Sequence, residues 1–197
     1  MIQKKKSVIK SFIEKYKLFA LKDVIIFCII TLGFHFLFRY LAHQLHYELI
    51  GVRVIPISVF DFFRDQVYYG TTFILKDLLG ISFQVKDHTI YFNNNTFIGV
   101  NHGCSGVKLF LQWIVLMVIY PGPWKKKLWF IPLGMIMIHL TNLFRMTGLS
   151  IILLKFQNQT WFNFSHDYIF RPLFYVVIFS LWVIWVEYIY RKKKKRK

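Results

Sequence analysis

Cysteine and acidic residues are scarce in this chain of 197 residues. It has two cysteines, Cys28 and Cys104, and nine Asp and Glu against 26 Lys and Arg. One cysteine lies inside an apolar run and the other beside a turn, so the sequence indicates no disulfide framework. No pair among His35, His43, His46 and His88 has convincing metal-ligand spacing, and we expect neither a metal nor another cofactor. No small-residue cleavage site follows the basic start of the chain, which argues against a cleavable signal peptide.

The excess of basic residues gives a formal net charge of +17, and it is concentrated in three blocks. Seven lysines lie within residues 1–22, three lie at 125–127, and seven basic residues lie at 191–197. Each block abuts an apolar run, as the cytoplasmic flanks of membrane spans do. Such flanks also attract anionic lipid headgroups. The pattern predicts membrane lipids as partners and argues against nucleic acid, because the charge does not form a groove-lining patch.

Hydrophobic residues make up 56% of the chain and aromatic residues 20%, which favours lipid as the solvent. A membrane span needs about 20 mostly apolar residues to cross about 30 Å of hydrocarbon. Three runs are long enough, and a fourth is completed by its flanking residues. These runs are 24–42, 128–154, 168–190 and the shorter 107–120. The sequence therefore predicts an all-α membrane protein, a bundle of about four to six transmembrane helices, with a small extracytoplasmic β-hairpin-like insert before Cys104.

The same pattern divides the chain into five segments. In chain order they are a basic cytoplasmic or interfacial segment (1–22), the first transmembrane helix (23–43), an amphipathic helix with extracytoplasmic strands (44–103), a helix core that holds the candidate site (104–190, with spans at about 105–121, 128–154 and 168–190), and a basic cytoplasmic tail (191–197).

The basic blocks also predict the orientation of the chain. If all three blocks are cytoplasmic, Cys104 and His166 both fall on the extracytoplasmic side of an inner or plasma membrane. This requires the stretch between the first span and Cys104 to cross the membrane an even number of times or not at all. Segment 57–79 carries a polar stripe at helical spacing, and two interpretations of it stay open. It is an amphipathic or re-entrant helix at the outer interface, or a true span whose stripe faces the bundle.

Three polar residues inside the run 128–154 require an explanation, because a charge within a span costs about 2 to 3 kcal/mol by insertion scales. His139, Asn142 and Arg145 follow one another at three-residue steps and share one side of the helix. Arg145 would lie about 25 Å along the helix, near its outer end, and His139 about 9 Å deeper. Arg145 either belongs to a functional site or is an anchor whose side chain snorkels to the headgroups.

Cys104, Arg145 and His166 thus reach the same membrane level. A thiol, a guanidinium and an imidazole are the parts of a nucleophilic acyl-transfer site, in which the thiolate attacks a carbonyl. Cys104 precedes a helix, whose dipole favours a thiolate. Gly103 and Gly106 permit a sharp turn and the close approach of a substrate backbone.

A family resemblance rests on these residues. The Asn-His-Gly-Cys-Ser-Gly-Val run at 101–107, the Asn-Leu-Phe-Arg step at 142–145 and the later His166 resemble the exosortase/archaeosortase family of membrane cysteine transpeptidases. The resemblance covers roughly residues 99–187. Its most specific part is Cys-Ser-Gly before one span with Asn-x-x-Arg in the next.

The resemblance implies a role for each residue of the pattern. Cys104 would be the nucleophile, Arg145 the stabiliser of the oxyanion and His166 the acid/base. His102, two residues before Cys104, is a rival acid/base. Asn142 would orient Arg145 or a substrate carbonyl. The residues expected to support the site or bind substrate are Asn142, Ser105, Gly106, His102 and His139.

The function implied by the resemblance is protein sorting. Such an enzyme cleaves a C-terminal sorting signal, made of a short motif, a transmembrane helix and a basic cluster as in PEP-CTERM proteins, at the outer membrane face. A Cys thioester forms, and the protein passes to an acceptor or to water. The alternative is a non-enzymatic membrane transport or assembly component, for which Cys104 would be dispensable. The sequence leaves the substrate proteins, the acceptor and the oligomeric state open.

Overall fold

The computed structural model describes residues 18–44 and 57–191. The chain divides into two compact units, with the boundary after Gly51. The first unit contains α1 (Leu18–Gln44), whose stretch Lys22–Tyr40 is long and apolar enough to cross a membrane. Large apolar side chains such as Ile29 and Phe36 are exposed on it, as expected for contact with lipid.

The expectations for residues 1–17, 45–56 and 192–197 lie outside the described residues. They include most of the basic N-terminal segment, the loop after the first helix and almost all of the basic tail. The division into five segments and the orientation of the chain stay predictions.

The second unit contains the remaining helices and a small sheet. In chain order its elements are α2 (Ile57–Phe73) with a π-helical extension (Ile74–Leu78), β1 (Phe83–Lys86), β2 (Thr89–Phe92), β3 (Phe97–Gly99), a 3₁₀ turn (His102–Cys104), α3 (Val107–Ile119), α4 (Trp124–Phe156), α5 (Gln159–Phe164) with a π-helical stretch (Ser165–Phe170), and α6 (Arg171–Ile184) with a π-helical end (Trp185–Arg191).

Within residues 18–44 and 57–191, four stretches are long and apolar enough to span a membrane. Besides the one in α1, they are His102–Ile119, Trp124–Phe156 and Gln159–Tyr190. The 33 residues of α4 give a helix of about 50 Å, so its ends extend past the hydrocarbon, which is about 30 Å thick. The four helices and the small antiparallel sheet confirm the predicted fold class, an all-α membrane protein.

The helix α2 has two different sides. Asp61, Arg64 and Asp65 interrupt its apolar residues, and it is not one of the four stretches. Val67 on its buried side packs into a core shared with α4 and the sheet, whereas Phe62 is exposed. The predicted amphipathic character is therefore present in the helix. The choice between an interfacial helix and a true span stays a prediction.

The three strands form an antiparallel sheet in the order β1-β2-β3. Asp87 and His88 join β1 to β2 with φ angles of 48° and 58°, the left-handed pair that a type I′ hairpin turn requires. Strand β2 alternates as the sequence predicts, because Ile90 and Phe92 are buried while Tyr91 is exposed. The buried face of the sheet packs on α2 and on the C-terminal half of α4, in a core formed by Val67, Tyr68, Leu75, Ile90, Phe92, Ile98, Val100, Met146, Leu149, Leu153 and Phe170.

Aromatic side chains fill the bundle near the hairpin that joins α3 to α4. The rings of Trp113 and Phe130 are 5.7 Å apart, and those of Phe130 and Trp185 are 5.3 Å apart. The Nε1 of Trp113 donates a hydrogen bond of 3.1 Å to the Ile131 carbonyl of α4. Gly134 lies directly against the Trp113 indole, which a Cβ at this position would overlap. These contacts hold α3 close to α4 and so fix the helix that begins just after Cys104.

The three lysines of the basic block at 125–127 differ in their burial. Lys125 and Lys126 are exposed, whereas Lys127 is buried. The Nζ of Lys127 donates to the carbonyls of Tyr120, at 2.7 Å, and Val118, at 3.2 Å. A cation at this end of α3 satisfies carbonyls that have no partner within the helix.

We expect Gly134→Ala to destabilise the protein by about 1 to 3 kcal/mol, because the added methyl group overpacks the contact with Trp113. The matched control is Gly33→Ala in α1, where no atom lies within 4 Å of the added Cβ. There alanine should be neutral or slightly stabilising, since it is the better helix former. The midpoint of thermal unfolding in detergent measures both variants, and equal midpoints would contradict the packing described.

Candidate active site

Cys104 is held in a short turn between the sheet and α3. Strand β3 ends at Gly99, and Cys104 closes the 3₁₀ turn with its N–H donating to the Asn101 carbonyl at 2.9 Å. The buried Ser105 hydroxyl donates to the His102 carbonyl at 2.7 Å and accepts from the Val107 N–H at 3.4 Å. The thiol is thereby presented three residues before α3 begins at Val107.

Gly106 is the hinge between this turn and α3. Its φ of 78° lies in the left-handed region, which glycine adopts at little cost. A Cβ here would also lie 3.1 Å from the Asn142 Nδ2. The Gly106 carbonyl accepts the first helical bonds, from Leu109 at 2.9 Å and from Phe110 at 3.1 Å. Glycine is therefore required both by the backbone and by the close approach of α4.

Asn142 connects α4 to this turn. Its side chain is 1% exposed, and Nδ2 donates a 2.7 Å hydrogen bond to the Cys104 carbonyl. The resemblance implied that Asn142 orients Arg145 or a substrate carbonyl. In the structure its amide group holds the main chain of Cys104, and the implied role of Asn142 stays a prediction.

A cavity of about 600 Å³ opens beside Cys104. This volume is within the range typical of ligand sites. Cys104, Arg145 and His166, which are far apart in the sequence, all line it. The remaining lining residues are Asn95, Thr96, Phe97, Ile98, Gly99, Asn101, Met146, Leu149, Leu153, Gln157, Gln159 and Phe162. The structure therefore brings together the three residues for which the sequence predicts the chemistry.

Arg145 forms a buried, cationic part of the cavity wall. Its side chain lies 9% exposed, and the guanidinium is close enough to Cys104 to interact with the sulfur electrostatically. Nη2 is 3.6 Å from the Met146 sulfur, and the guanidinium carbon is 5.6 Å from the Phe174 ring centroid. Within the described part of the chain, no hydrogen-bond acceptor reaches its Nε and no carboxylate forms an ion pair with it.

His166 is oriented by the residue that follows it. Its Nδ1 lies 2.7 Å from Asp167 Oδ1, and Arg171 holds the same carboxylate oxygen at 3.3 Å. The imidazole also stacks on Phe162, with the ring planes 10° apart. His166 and Asp167 lie on the π-helical stretch after α5, a backbone form common at functional sites. A carboxylate at Nδ1 leaves Nε2 as the nitrogen available for proton exchange.

His102 is engaged outside the cavity lining. Its Nε2 lies 2.8 Å from Asp61 Oδ1 and 3.2 Å from Arg64 Nη1, so it ties the 3₁₀ turn to α2. The hydrogen bond from His102, with the nearby Arg64 charge, holds the pKa of the Asp61 carboxyl below its usual value. Asp65 continues this network to His88, at 3.1 Å.

His139 also lies outside the cavity lining, although it shares α4 with Asn142 and Arg145. It is half-buried, and its Nδ1 has no partner among the described residues. In the described part of the chain, no three His, Cys, Asp or Glu side chains are grouped so that they could hold a metal ion.

Sequence reasoning missed two parts of the site. The first is Asp167, directly after His166 in the chain, where a carboxylate beside a candidate catalytic imidazole is itself a signal. The second is strand β3, whose residues from Phe97 to Gly99 line the cavity. No residue type marks a strand as a cavity wall, because that role depends on where the sheet packs.

We expect Asn142→Ala to destabilise the protein by about 1 to 3 kcal/mol, because it leaves the part-buried Cys104 carbonyl without its donor. Thr141→Ala is the matched control on the preceding residue, since its hydroxyl bonds only within α4, to the Met137 carbonyl at 2.8 Å. Thermal unfolding in detergent measures both variants. If the unfolding midpoint falls no further in Asn142→Ala than in the control, the hydrogen bond between α4 and the turn adds little to stability.

One of three comparisons with known proteins shows the family of the chain. Neither the comparison with curated proteins nor the comparison with solved structures found a match. The family model described as transmembrane exosortase (Exosortase_EpsH) matches residues 13–187. That match spans α1 and every residue of the cavity, and it confirms the resemblance read from the sequence. The chain is a multi-pass membrane protein and belongs to the transmembrane exosortase family.

Proposed function

We propose that this chain is a cysteine transpeptidase that cleaves the C-terminal sorting signal of membrane-anchored proteins. The observation that carries the proposal is the single cavity lined by Cys104, Arg145 and His166. Family membership supports a sorting role in general. A thiol, an imidazole and a buried cation in one cavity are the groups that acyl transfer through a thioester requires.

The proposed reaction begins with the Cys104 thiol. His166 accepts its proton while the sulfur attacks the scissile carbonyl, and the carbonyl oxygen becomes an oxyanion. When the C–N bond breaks, the protonated imidazole returns the proton to the leaving amine. The product is a thioester between Cys104 and the new C-terminus of the substrate.

The second half of the reaction transfers the acyl group. An amine or hydroxyl acceptor, or water, attacks the thioester carbonyl while His166 removes its proton. The C–S bond then breaks, and the thiolate recovers the proton from the imidazolium. Atoms and charges balance over the cycle, so no cofactor is needed.

Arg145 is the proposed stabiliser of the oxyanion in both halves. It lines the cavity with Cys104, it is buried, and it interacts with the sulfur. A positioned cation in a site that excludes water stabilises developing negative charge far more than it would in bulk water.

His166 is the proposed acid/base, in preference to His102. His166 lines the cavity and receives the Asp167 carboxylate at Nδ1, as the imidazole of a nucleophile–histidine–carboxylate triad does. His102 is bound to Asp61 and Arg64 and lies outside the lining. We assign His102 the structural task of tying the 3₁₀ turn to α2.

The proposed substrate ends in a short motif, a transmembrane helix and a basic cluster, as the family resemblance implies. The three basic blocks of the chain favour a site on the extracytoplasmic face, since basic flanks remain in the cytoplasm. A substrate with the same orientation would place its own basic cluster inside and its motif at the level of Cys104. Cleavage there would release the exported part from its membrane helix.

Replacing Cys104 with Ala should abolish processing. Precursor proteins that keep their C-terminal helix should accumulate in membranes of cells that carry the variant in place of the wild-type chain, and mass spectrometry of C-terminal peptides measures them. Cys28→Ala in α1 is the matched control and should process normally. If Cys104→Ala processes precursors normally whereas variants of Arg145 and Asp61 lose processing, the result would instead support a non-enzymatic transport or assembly component.

Asp167→Asn should slow processing by at least about 10-fold, because the imidazole loses the carboxylate that orients it. Asp167→Glu should restore part of the rate, since a carboxylate returns near Nδ1. Asp87→Asn, at the tip of the β1–β2 turn, is the control and should process at the wild-type rate. The rate of loss of precursor after a pulse of labelling measures all three. Equal rates for the Asn and Glu variants at 167 would rule out the orienting role.

A further inference from the structure

Strand β3 is an edge strand, and its free main-chain groups can be assigned from the ladder. The Phe92 N–H donates to the Thr96 carbonyl at 2.8 Å, and the Val100 N–H donates to the His88 carbonyl at 2.9 Å. Antiparallel pairs alternate between bonded and non-bonded positions, so the bonded pair between them is Ile98 with Ile90.

It follows that Phe97 and Gly99 direct their N–H and C=O groups away from β2. No other bond to these groups is found among residues 18–44 and 57–191. Such a row of unpaired donors and acceptors is a template for one more strand. In natural proteins, charged residues or proline commonly protect an edge strand from pairing with another strand. Strand β3, with the sequence Phe-Ile-Gly, has neither.

The free edge of β3 belongs to the cavity of the proposed active site. Phe97, Ile98 and Gly99 line the same cavity as Cys104. The turn before β3 is tied to the end of α4 by the Asn94 Nδ2, which donates to the Leu154 carbonyl at 3.2 Å. The edge is thereby held along the wall that leads to the thiol.

The other edge of the sheet provides a comparison. Strand β1 pairs with β2 through Lys86 with Thr89 and Gln84 with Tyr91, so Val85 directs its N–H outward. Val85 is exposed, and β1 contributes no residue to the cavity lining. Of the two edges, only that of β3 therefore lines the cavity, where a reacting peptide would have to bind.

The chemistry of the cavity fits a peptide main chain. Besides the edge, it presents four carboxamide side chains, Asn95, Asn101, Gln157 and Gln159. Each offers both a donor and an acceptor, which is the complement of an amide group. Its volume of about 600 Å³ has room for a short extended segment.

We propose that the scissile segment of the substrate binds as an added β-strand on the free edge of β3. Main-chain hydrogen bonds to Phe97 and Gly99 hold the segment extended along the cavity, with its scissile carbonyl at Cys104. Strand addition supplies affinity through the backbone, and pockets for alternate side chains supply specificity. The proposal rests on the proposed transpeptidase function and names how its substrate is held.

The test replaces outward-facing residues with proline, which removes one N–H at an edge and fits an extended backbone. Phe97→Pro and Gly99→Pro remove the donors on β3, and Val85→Pro removes the corresponding donor on β1. Each variant replaces the wild-type chain in cells, and precursors that keep their C-terminal helix are quantified. Folding is checked by the unfolding midpoint in detergent and by the rate at which iodoacetamide alkylates Cys104 in a Cys28→Ser background.

We expect both β3 variants to slow processing by at least about 5-fold, the effect of losing one hydrogen bond to the bound strand. Val85→Pro should process at the wild-type rate, and all three should keep the midpoint and alkylation rate of the parent. Normal processing by the β3 variants, or equal loss in Val85→Pro, would overturn the docking proposal. If Cys104→Ala abolishes processing in the same cells, the transpeptidase function survives that outcome. Normal processing by Cys104→Ala would overturn both.

Discussion

The hydrogen bond from Asn142 to the Cys104 carbonyl is the interaction on which the site depends. It joins α4 to the 3₁₀ turn before α3, across 38 residues of sequence, and its donor Asn142 is buried. Arg145 is on the same helix, three residues further on. Fixing the main chain of Cys104 to Asn142 therefore fixes the distance between the thiol and the guanidinium. Gly106 makes the bond possible, because any side chain there would crowd the Asn142 amide.

The rest of the bundle maintains this contact from two directions. Near the α3–α4 hairpin, Trp113 against Gly134 sets the spacing of the two helices. On the side of the sheet, Ile98 and Met146 share one core, so β3 and α4 cannot separate without exposing buried apolar surface. The cavity lies between these two packed regions. Packing against buried side chains thus holds its walls in place, while the Nε of Arg145, which lines it, has no hydrogen-bond acceptor among the described residues.

Much of this arrangement could be predicted from the sequence, for identifiable reasons. Apolar runs and basic flanks predicted the helices, and alternation around Ile90 and Phe92 predicted strands. The common level of Cys104, Arg145 and His166 came from the same reasoning. What could not be predicted depends on long-range packing. The contact of His102 with Asp61 crosses 41 residues, and no local pattern shows that it removes a rival base from the cavity. The free edge of β3 became visible only once the strand order was known.

The charge of Arg145 links the fold to the chemistry. A buried cation is costly unless an anion or a set of acceptors compensates it. Around Arg145 the described residues provide a thioether and an aromatic face but no carboxylate. The Cys104 thiol lines the same cavity, and the guanidinium interacts with its sulfur. An oxyanion on the substrate, as proposed, would supply the charge that the resting cavity lacks. The same deficit favours that oxyanion in each half of the proposed reaction.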